Sequence, residues 1–222
     1  MSLSLVTQAS SSSNADDGRP FADMTYDTVF KNVFNDREVL VGFLNAVKAG
    51  GEGVTIKEIN HVERPGSSDV RGVIYDIRCT LSNNVSVIIE LQRALQRSEI
   101  IDRMMGYVST EYATQWQRDE PLSYILTPVH AVAIMGFTFD RDRKKCGSML
   151  QVYSEICVYG EGAEFAISRS DQLTRRIYVQ LPLAPVKIDD KSREEELWAY
   201  LLRESSTLEE VPSVLAKGSF KR

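Results

Sequence analysis

The chain has 222 residues, 43% of them hydrophobic and 26% charged, enough for one sizeable core and, at the usual ~100–200 residues per domain, one domain with extensions. A net charge of -5 and a pI near 5.2 argue against a general polyanion-binding surface, so any contact with nucleic acid has to be focused by local basic groups. No apolar run approaches the roughly 18 residues of a bilayer span, and Met1-Ser-Leu-Ser-Leu-Val6 lacks the charged start and long apolar core of a secretory signal, which predicts a soluble intracellular protein, cytoplasmic or nuclear.

Residues 1–22 are rich in Ser, with Asn, Asp, Gly and Pro, and read as a disordered leader. Helical spacing begins at Met24: Val29, Phe30, Val33 and Phe34 recur at i, i+3, i+4, with Thr25 or Asp27 as the cap. Asp27 and Lys31 stand one turn apart, the spacing of an ordinary surface ion pair. A second helix is predicted from Arg37 to Lys48, with Val39, Leu40, Phe43, Leu44 and Val47 on one side and a Gly50-Gly51-Glu52-Gly53 stop. Val54–Val62 alternates as a strand, and 64–68 is a loop. His61 is a lone histidine with no local partner, so a structural or exposed role is expected of it.

A hairpin follows, Gly72–Leu81 and Val85–Arg93, both arms alternating, around a Ser82-Asn83-Asn84 corner that tolerates a left-handed backbone. A three-residue loop sets Leu81 against Val85, Cys79 against Val87, Ile77 against Ile89 and Tyr75 against Leu91, one face apolar throughout. A two-residue turn would set Ile77 against Glu90 and scramble the faces, a costly slip where one face is buried. The favoured register opposes Asp76 to Glu90, with Gln92 on the same face. Opposed carboxylates repel. Two readings are open: a hard divalent cation held by Asp76, Glu90 and a carbonyl of residue 91, or a solvated face on which Arg78 and Arg93 stand beside the acids.

From Leu95 to Gln117 the period becomes helical, with Ile101, Met105, Val108, Tyr112 and Trp116 on one stripe and Ile100 and Met104 beside it. This helix is expected to pack on the hairpin's apolar face or edge, leaving Arg103, Tyr107, Thr110 and Thr114 on a flank. Val129–Phe139 is nearly all apolar and is the candidate central strand, with His130 a satisfied core or edge histidine. After a charged loop at Asp140–Lys145, Met149–Tyr159 and Arg176–Leu183 read as strands. Lys191–Arg203 is an amphipathic helix capped by Ser192, carrying Leu197, Trp198, Leu201 and Leu202, with Leu208–Leu215 a shorter helical partner; the pair reads as an appended cap or an interaction surface.

Cys79, Cys146 and Cys157 are three and far apart, without a CxxC pair, so neither a disulfide framework nor a zinc site is indicated and a reducing compartment fits. A Walker loop, a GxGxxG fingerprint and a GxSxG elbow are all missing, which removes support for nucleotide-dependent and serine-hydrolase readings.

Taken together, Asp27-Thr-Val-Phe-Lys31, Asp76, Glu90-Leu-Gln92, Arg103-Met-Met-Gly-Tyr107 and Tyr124-Ile-Leu-Thr-Pro128 resemble the PD-(D/E)XK nuclease family transposases, the Rpn-like recombination-promoting nucleases. The likeness covers roughly residues 24–140 and is weaker around Trp198. It implies an α/β restriction-endonuclease-like core, a central mixed sheet flanked by helices, and metal-dependent cleavage of DNA. It also implies that Asp76 and Glu90 bind Mg²⁺, with Mn²⁺ as a substitute, and that Gln92 stands where the motif ends in Lys. Asp27 matches the first-helix acid, and Arg103 and Tyr107 match the R-x3-Y signature. A neutral amide orients water but supplies no positive charge. Lys31, Arg78, Arg93, Arg97 and Arg103 are the cations available to support the site or meet phosphate.

The expected organisation is a leader at 1–22, a nuclease-like domain at 23–185 and a helical extension at 186–222, with DNA as partner, no membrane, and homo-oligomerisation left open. Two other classes stay open: a nuclease fold that no longer cleaves and binds nucleic acid or protein, and a structural partner assembled through the Trp198 helix.

Overall fold

The computed structural model describes residues 21–51, 53–63, 75–94, 97–115, 126–154 and 174–215. Within them six strands, β1 (Ile59–Glu63), β2 (Ile77–Leu81), β3 (Ser86–Gln92), β4 (Val129–Met135), β5 (Leu150–Ser154) and β6 (Thr174–Gln180), form one sheet in the order β1-β2-β3-β4-β6-β5. The first three are antiparallel, β3, β4 and β6 run parallel, and β5 returns antiparallel on β6. Helices α1 (Asp27–Phe34), α2 (Arg37–Ala46), α3 (Arg97–Thr114) and α4 (Glu194–Glu204) flank it, the mixed α/β arrangement expected. The predicted leader through residue 20, the 64–68 loop, the start of the hairpin at 72–74, Trp116, Tyr124 and Cys157 lie outside the described residues.

Alternation predicts the register of the hairpin: Ile77 pairs with Ile89 and Cys79 with Val87. Asn84 takes the left-handed φ of 65° and its N–H returns to the Leu81 carbonyl at 2.9 Å. The regular pattern ends just before β2. Leu81 N–H bonds the Val85 carbonyl, and hydrogen-bonded pairs alternate along such a ladder, so Tyr75 opposite Leu91 would be a further rung. Asp76 takes that rung's place: its Oδ2 accepts the Leu91 N–H at 2.8 Å and the chain bends there. Tyr75 therefore leaves the Ile77–Cys79 face, contrary to expectation, and its ring stands edge-on to Tyr107 of α3 with centroids 5.0 Å apart.

One face of the sheet, with Ile77, Cys79, Val87 and Ile89 from the hairpin and Val132, Ile134 and Ile177 beyond it, shares a core with α1, α2 and α4. The other face carries α3: Ile100, Met104, Tyr107 and Val108 pack with Ile88, Ala131, Ala133 and Tyr178. The long helix thus lies on the hairpin's polar face rather than its apolar one. Its buried stripe is Ile100, Met104, Tyr107, Val108 and Glu111, while Met105 is 41% exposed. Partnered polar groups are the cause. Glu111, 3% exposed, receives Arg78 Nε at 2.8 Å, Arg78 Nη2 at 2.5 Å and the Ser86 hydroxyl at 2.9 Å.

β4 is buried along its whole length and sits inside the sheet, as a near-continuous apolar run requires. His130 on it is buried, with Nδ1 2.5 Å from the Ala49 carbonyl, the satisfied core histidine expected. Several boundaries move. The strand predicted from Val54 begins only at Ile59, because the Asn45 side chain bonds both the N–H and the carbonyl of Ile56 and holds that segment against α2. The strand predicted to end at Leu183 stops at Gln180, where Leu181–Leu183, containing Pro182, tighten into a 3-10 turn. Ser192 does not cap α4; the N-cap is Arg193, whose N–H donates to Glu196 Oε2 at 2.9 Å. Leu208–Leu215 forms turns and extended chain instead of a helix. No helix among the described residues is long and apolar enough to cross a membrane.

α4 is part of the core rather than an exposed surface. Trp198 is 3% exposed and packs edge-on to Phe43 at 5.6 Å and tilted against Phe34 at 6.0 Å.

Candidate active site

Two carboxylates come near enough to feel each other's charge where β2 begins and β3 ends. Strand alternation turns Glu90 and Gln92 to the face covered by α3, and the bend at Asp76 presents its carboxylate beside the Leu91 amide. Glu90 is 5% exposed. Its Oε1 lies 3.0 Å from Arg103 Nη1 and accepts from the Tyr107 hydroxyl at 3.4 Å, while its buried Oε2 has no hydrogen-bond partner. An orphaned carboxylate oxygen is rare in a folded protein and costs free energy there. Burial first, and the charge of Asp76 second, push the Glu90 carboxyl up to about 7, against the opposing pull of Arg103, the Tyr107 hydroxyl and the Asp76 backbone N–H.

Asp76 has a cation of its own. Lys31 Nζ, from α1, is 3.3 Å from Asp76 Oδ1 and 2.6 Å from Asp27 Oδ1. The expected surface pair is therefore the outer half of a three-member bridge into the site. Burial disfavours the Lys31 ammonium, but the hydrogen bond to Asp27 and the charges of Asp76 and Asp27 outweigh it and raise its pKa above the ordinary lysine value.

Arg103 joins the second half. It donates to the Gln92 Oε1 at 2.7 Å as well as meeting Glu90, and its guanidinium lies 5.8 Å from the Tyr107 ring centroid. Gln92 Nε2 donates to the Ala94 carbonyl at 3.1 Å. Burial, followed by the charge of Glu90, raises the Tyr107 phenol well above its usual range, so this hydroxyl stays protonated and donates. Arg103, Tyr107 and Glu111 stand at i, i+4 and i+8 on α3, one line along the sheet.

Asp27, Lys31, Asp76, Glu90, Gln92, Arg103 and Tyr107 are thus linked in one constellation. Arg78 and Arg93 are engaged elsewhere: Arg78 is clamped by Glu111, and Arg93 lies over the Tyr26 ring at 4.5 Å. The side chains of Arg97 and His61 lie outside the described residues. Two contributors went unread in the sequence. Glu111 was signalled by its i+4 spacing from Tyr107 on α3; the Leu91 amide carries no side-chain signal.

Among the described residues no group of three or more His, Cys, Asp or Glu side chains is placed to hold a metal ion; the carboxylates at this site are the pair Asp76 and Glu90. A pair of carboxylates with one buried, unpartnered oxygen suits a hard, oxygen-seeking divalent ion that completes its shell with water.

Residues 23–222 match the family model described as PD-(D/E)XK nuclease family transposase. The match extends past residue 140 through α4 to the end of the chain, further than the residue-by-residue likeness. No curated protein and no solved structure matches the chain significantly. The family's fold is restriction-endonuclease-like, and the mixed sheet with α1 and α3 closing on the end of its hairpin fits it. The chain belongs to the PD-(D/E)XK nuclease family transposases.

Proposed function

We propose that this chain is a metal-dependent endonuclease that hydrolyses DNA phosphodiester bonds at Asp76 and Glu90. The observation that carries the reading is Glu90: it is buried, its Oε2 has no partner, and a second carboxylate stands beside it. Such an arrangement is unfavourable in the protein alone and becomes favourable with a bound dication. Mg²⁺, or Mn²⁺ in its place, supplies a polarised water and neutralises charge on the phosphate when held by these acids.

The chain's own residues divide the remaining work. Leu91 N–H fixes the Asp76 carboxylate, and the Tyr107 hydroxyl fixes Glu90. Gln92, held by Arg103, orients water through its amide and supplies no charge. Positive charge comes from two other elements, Lys31 on α1 and Arg103 on α3, each resting on one acid and free to turn to a phosphate oxygen once that acid is otherwise neutralised. Asp27 keeps Lys31 in reach.

A second reading has an observation of its own. Both acids are already paired with protein cations, as in a nuclease fold that no longer cleaves and binds nucleic acid or protein. Calorimetric titration of Mg²⁺ and Mn²⁺ separates the two. The nuclease reading expects a binding heat that disappears in Asp76→Asn and in Glu90→Gln; no binding by the intact protein favours the binding module.

A further inference from the structure

Tyr26 occupies an unusual position for its chemistry. It is the N-cap of α1, where Ser, Thr, Asp or Asn would satisfy an open backbone N–H, and its side chain makes no cap hydrogen bond. It contributes little to the core either, since 56% of it is exposed. What its ring does contact is Arg93, whose guanidinium carbon lies 4.5 Å from the centroid. Arg93 is exposed and makes no ion pair among the described residues. Each partner adjoins the candidate site in sequence: Tyr26 precedes Asp27, and Arg93 follows Gln92.

Arg93 also faces a cleft that Tyr26 does not line. This cleft, of about 620 Å³, opens on the Arg93 side of the pair and is lined by Arg93, Arg143 and Arg203 together with the acids Asp23 and Glu204, the last of which pairs with Arg203. It runs along the ends of the parallel strands β3, β4 and β6. Arg143 is committed to the Pro182 carbonyl, and Arg203 to the Ala184 and Pro185 carbonyls. Arg93 is the cleft's arginine that is not committed to a carbonyl. Its backbone is held close to β4, because Gly136 N–H bonds the Gln92 carbonyl at 2.9 Å and a Cβ at Gly136 would come within 2.8 Å of the Arg93 carbonyl oxygen. The Arg93 backbone is therefore fixed relative to Glu90 and Gln92.

We propose that Tyr26 and Arg93 form a nucleotide platform: an unpaired base flanking the cleaved phosphate stacks on the exposed Tyr26 ring, and Arg93 meets the adjoining phosphate. An aromatic face is the means by which proteins hold single-stranded nucleic acid without reading its sequence, and a neighbouring arginine adds charge and a second stacking plane. A focused contact of this kind also suits an acidic chain, which cannot rely on a broad basic surface. The inference rests on the nuclease reading for its substrate. It adds that the DNA engaged is single-stranded or locally unpaired at this point.

The test uses the full chain in EDTA, so that binding is read without cleavage. Two oligonucleotides are compared, a blunt duplex and the same duplex with a single-stranded tail containing 2-aminopurine. The platform predicts tighter binding of the tailed DNA and quenching of 2-aminopurine by stacking. Tyr26→Ala weakens tailed-DNA binding about tenfold and abolishes the quench, with blunt-duplex affinity unchanged. Tyr26→Phe retains both signals, because stacking needs the ring and not the hydroxyl. Equal affinity for both DNAs, or an unchanged quench in Tyr26→Ala and Arg93→Ala, overturns the proposal. If the tail binds through Tyr26 while Mg²⁺ elicits no cleavage, the platform stands and the nuclease reading falls. If the protein cleaves while Tyr26→Ala binds both DNAs like the wild type, the platform falls and the nuclease reading stands.

Discussion

Glu90 is the residue on which the site turns. Its carboxyl is raised from 4.5 to about 7 by burial and by Asp76, so between those pH values the folded metal-free protein holds a proton there that the unfolded chain has lost. The corresponding stability is fully present below the unfolded pKa and is lost as pH rises through about 7. Glu90→Gln does not titrate. In EDTA its stability relative to wild type is therefore expected to rise between pH 4.5 and pH 8, by on the order of 3 kcal/mol, read as a difference in denaturant midpoints. A difference independent of pH would mean that Glu90 is not the strained acid described. Lys31 leads to a second expectation. Lys31→Gln removes a cation from Asp76, so Mg²⁺ affinity measured by calorimetry rises a few-fold while plasmid nicking falls. Loss of metal affinity in that variant would contradict its role. Alternation set Asp76 opposite Glu90, since one register alone keeps the apolar face whole, but it left a cation site and a solvated face equally open, and only the family resemblance favoured the cation. The bridge from Lys31 was not legible, because i,i+4 spacing shows Asp27 and conceals a partner 45 positions away in the sequence.

At the scale of elements, α3 shows how polar burial misleads a hydrophobic reading. The stripe through Ile101, Met105 and Tyr112 is the more apolar, yet the helix turns Tyr107 and Glu111 inward because Glu90, Arg78 and Ser86 await them on the sheet. The Arg78–Glu111 pair sits one strand repeat from Asp76 and Glu90 and ties α3 to the hairpin. Arg78→Ala leaves the Glu111 carboxylate, 4% exposed, without its cation, and is expected to cost about 3 kcal/mol in chemical denaturation. The Arg78→Ala, Glu111→Ala double variant recovers part of that loss, since the stranded charge is gone; a double variant worse than the sum of both singles would contradict the account. The hairpin itself was read correctly because side-chain period and turn residues agree there. Its one misplaced member, Tyr75, left the expected face when the Asp76 carboxylate replaced a backbone rung, an exchange that alternation does not record.

In the whole molecule, the central position of β4 followed from a continuous apolar run, which a strand covered on both faces can bury, whereas the α/β class was what the family resemblance implied. The role of α4 did not follow, because an amphipathic stripe looks the same whether it meets a partner or its own core. Trp198 closes the aromatic cluster of Phe34 and Phe43, so Trp198→Ala is expected to cost about 3–5 kcal/mol, and a chain ending at residue 185 to lose cooperative unfolding by calorimetry. A truncated chain that melts like the full one would show α4 to be dispensable. DNA cleavage at Asp76 and Glu90 is the proposed function, and nicking of supercoiled plasmid by the purified chain with Mg²⁺ decides it. Wild type is predicted to nick, and Asp76→Ala and Glu90→Gln to fall to the level of the EDTA control; undiminished nicking by Asp76→Ala would contradict the claim.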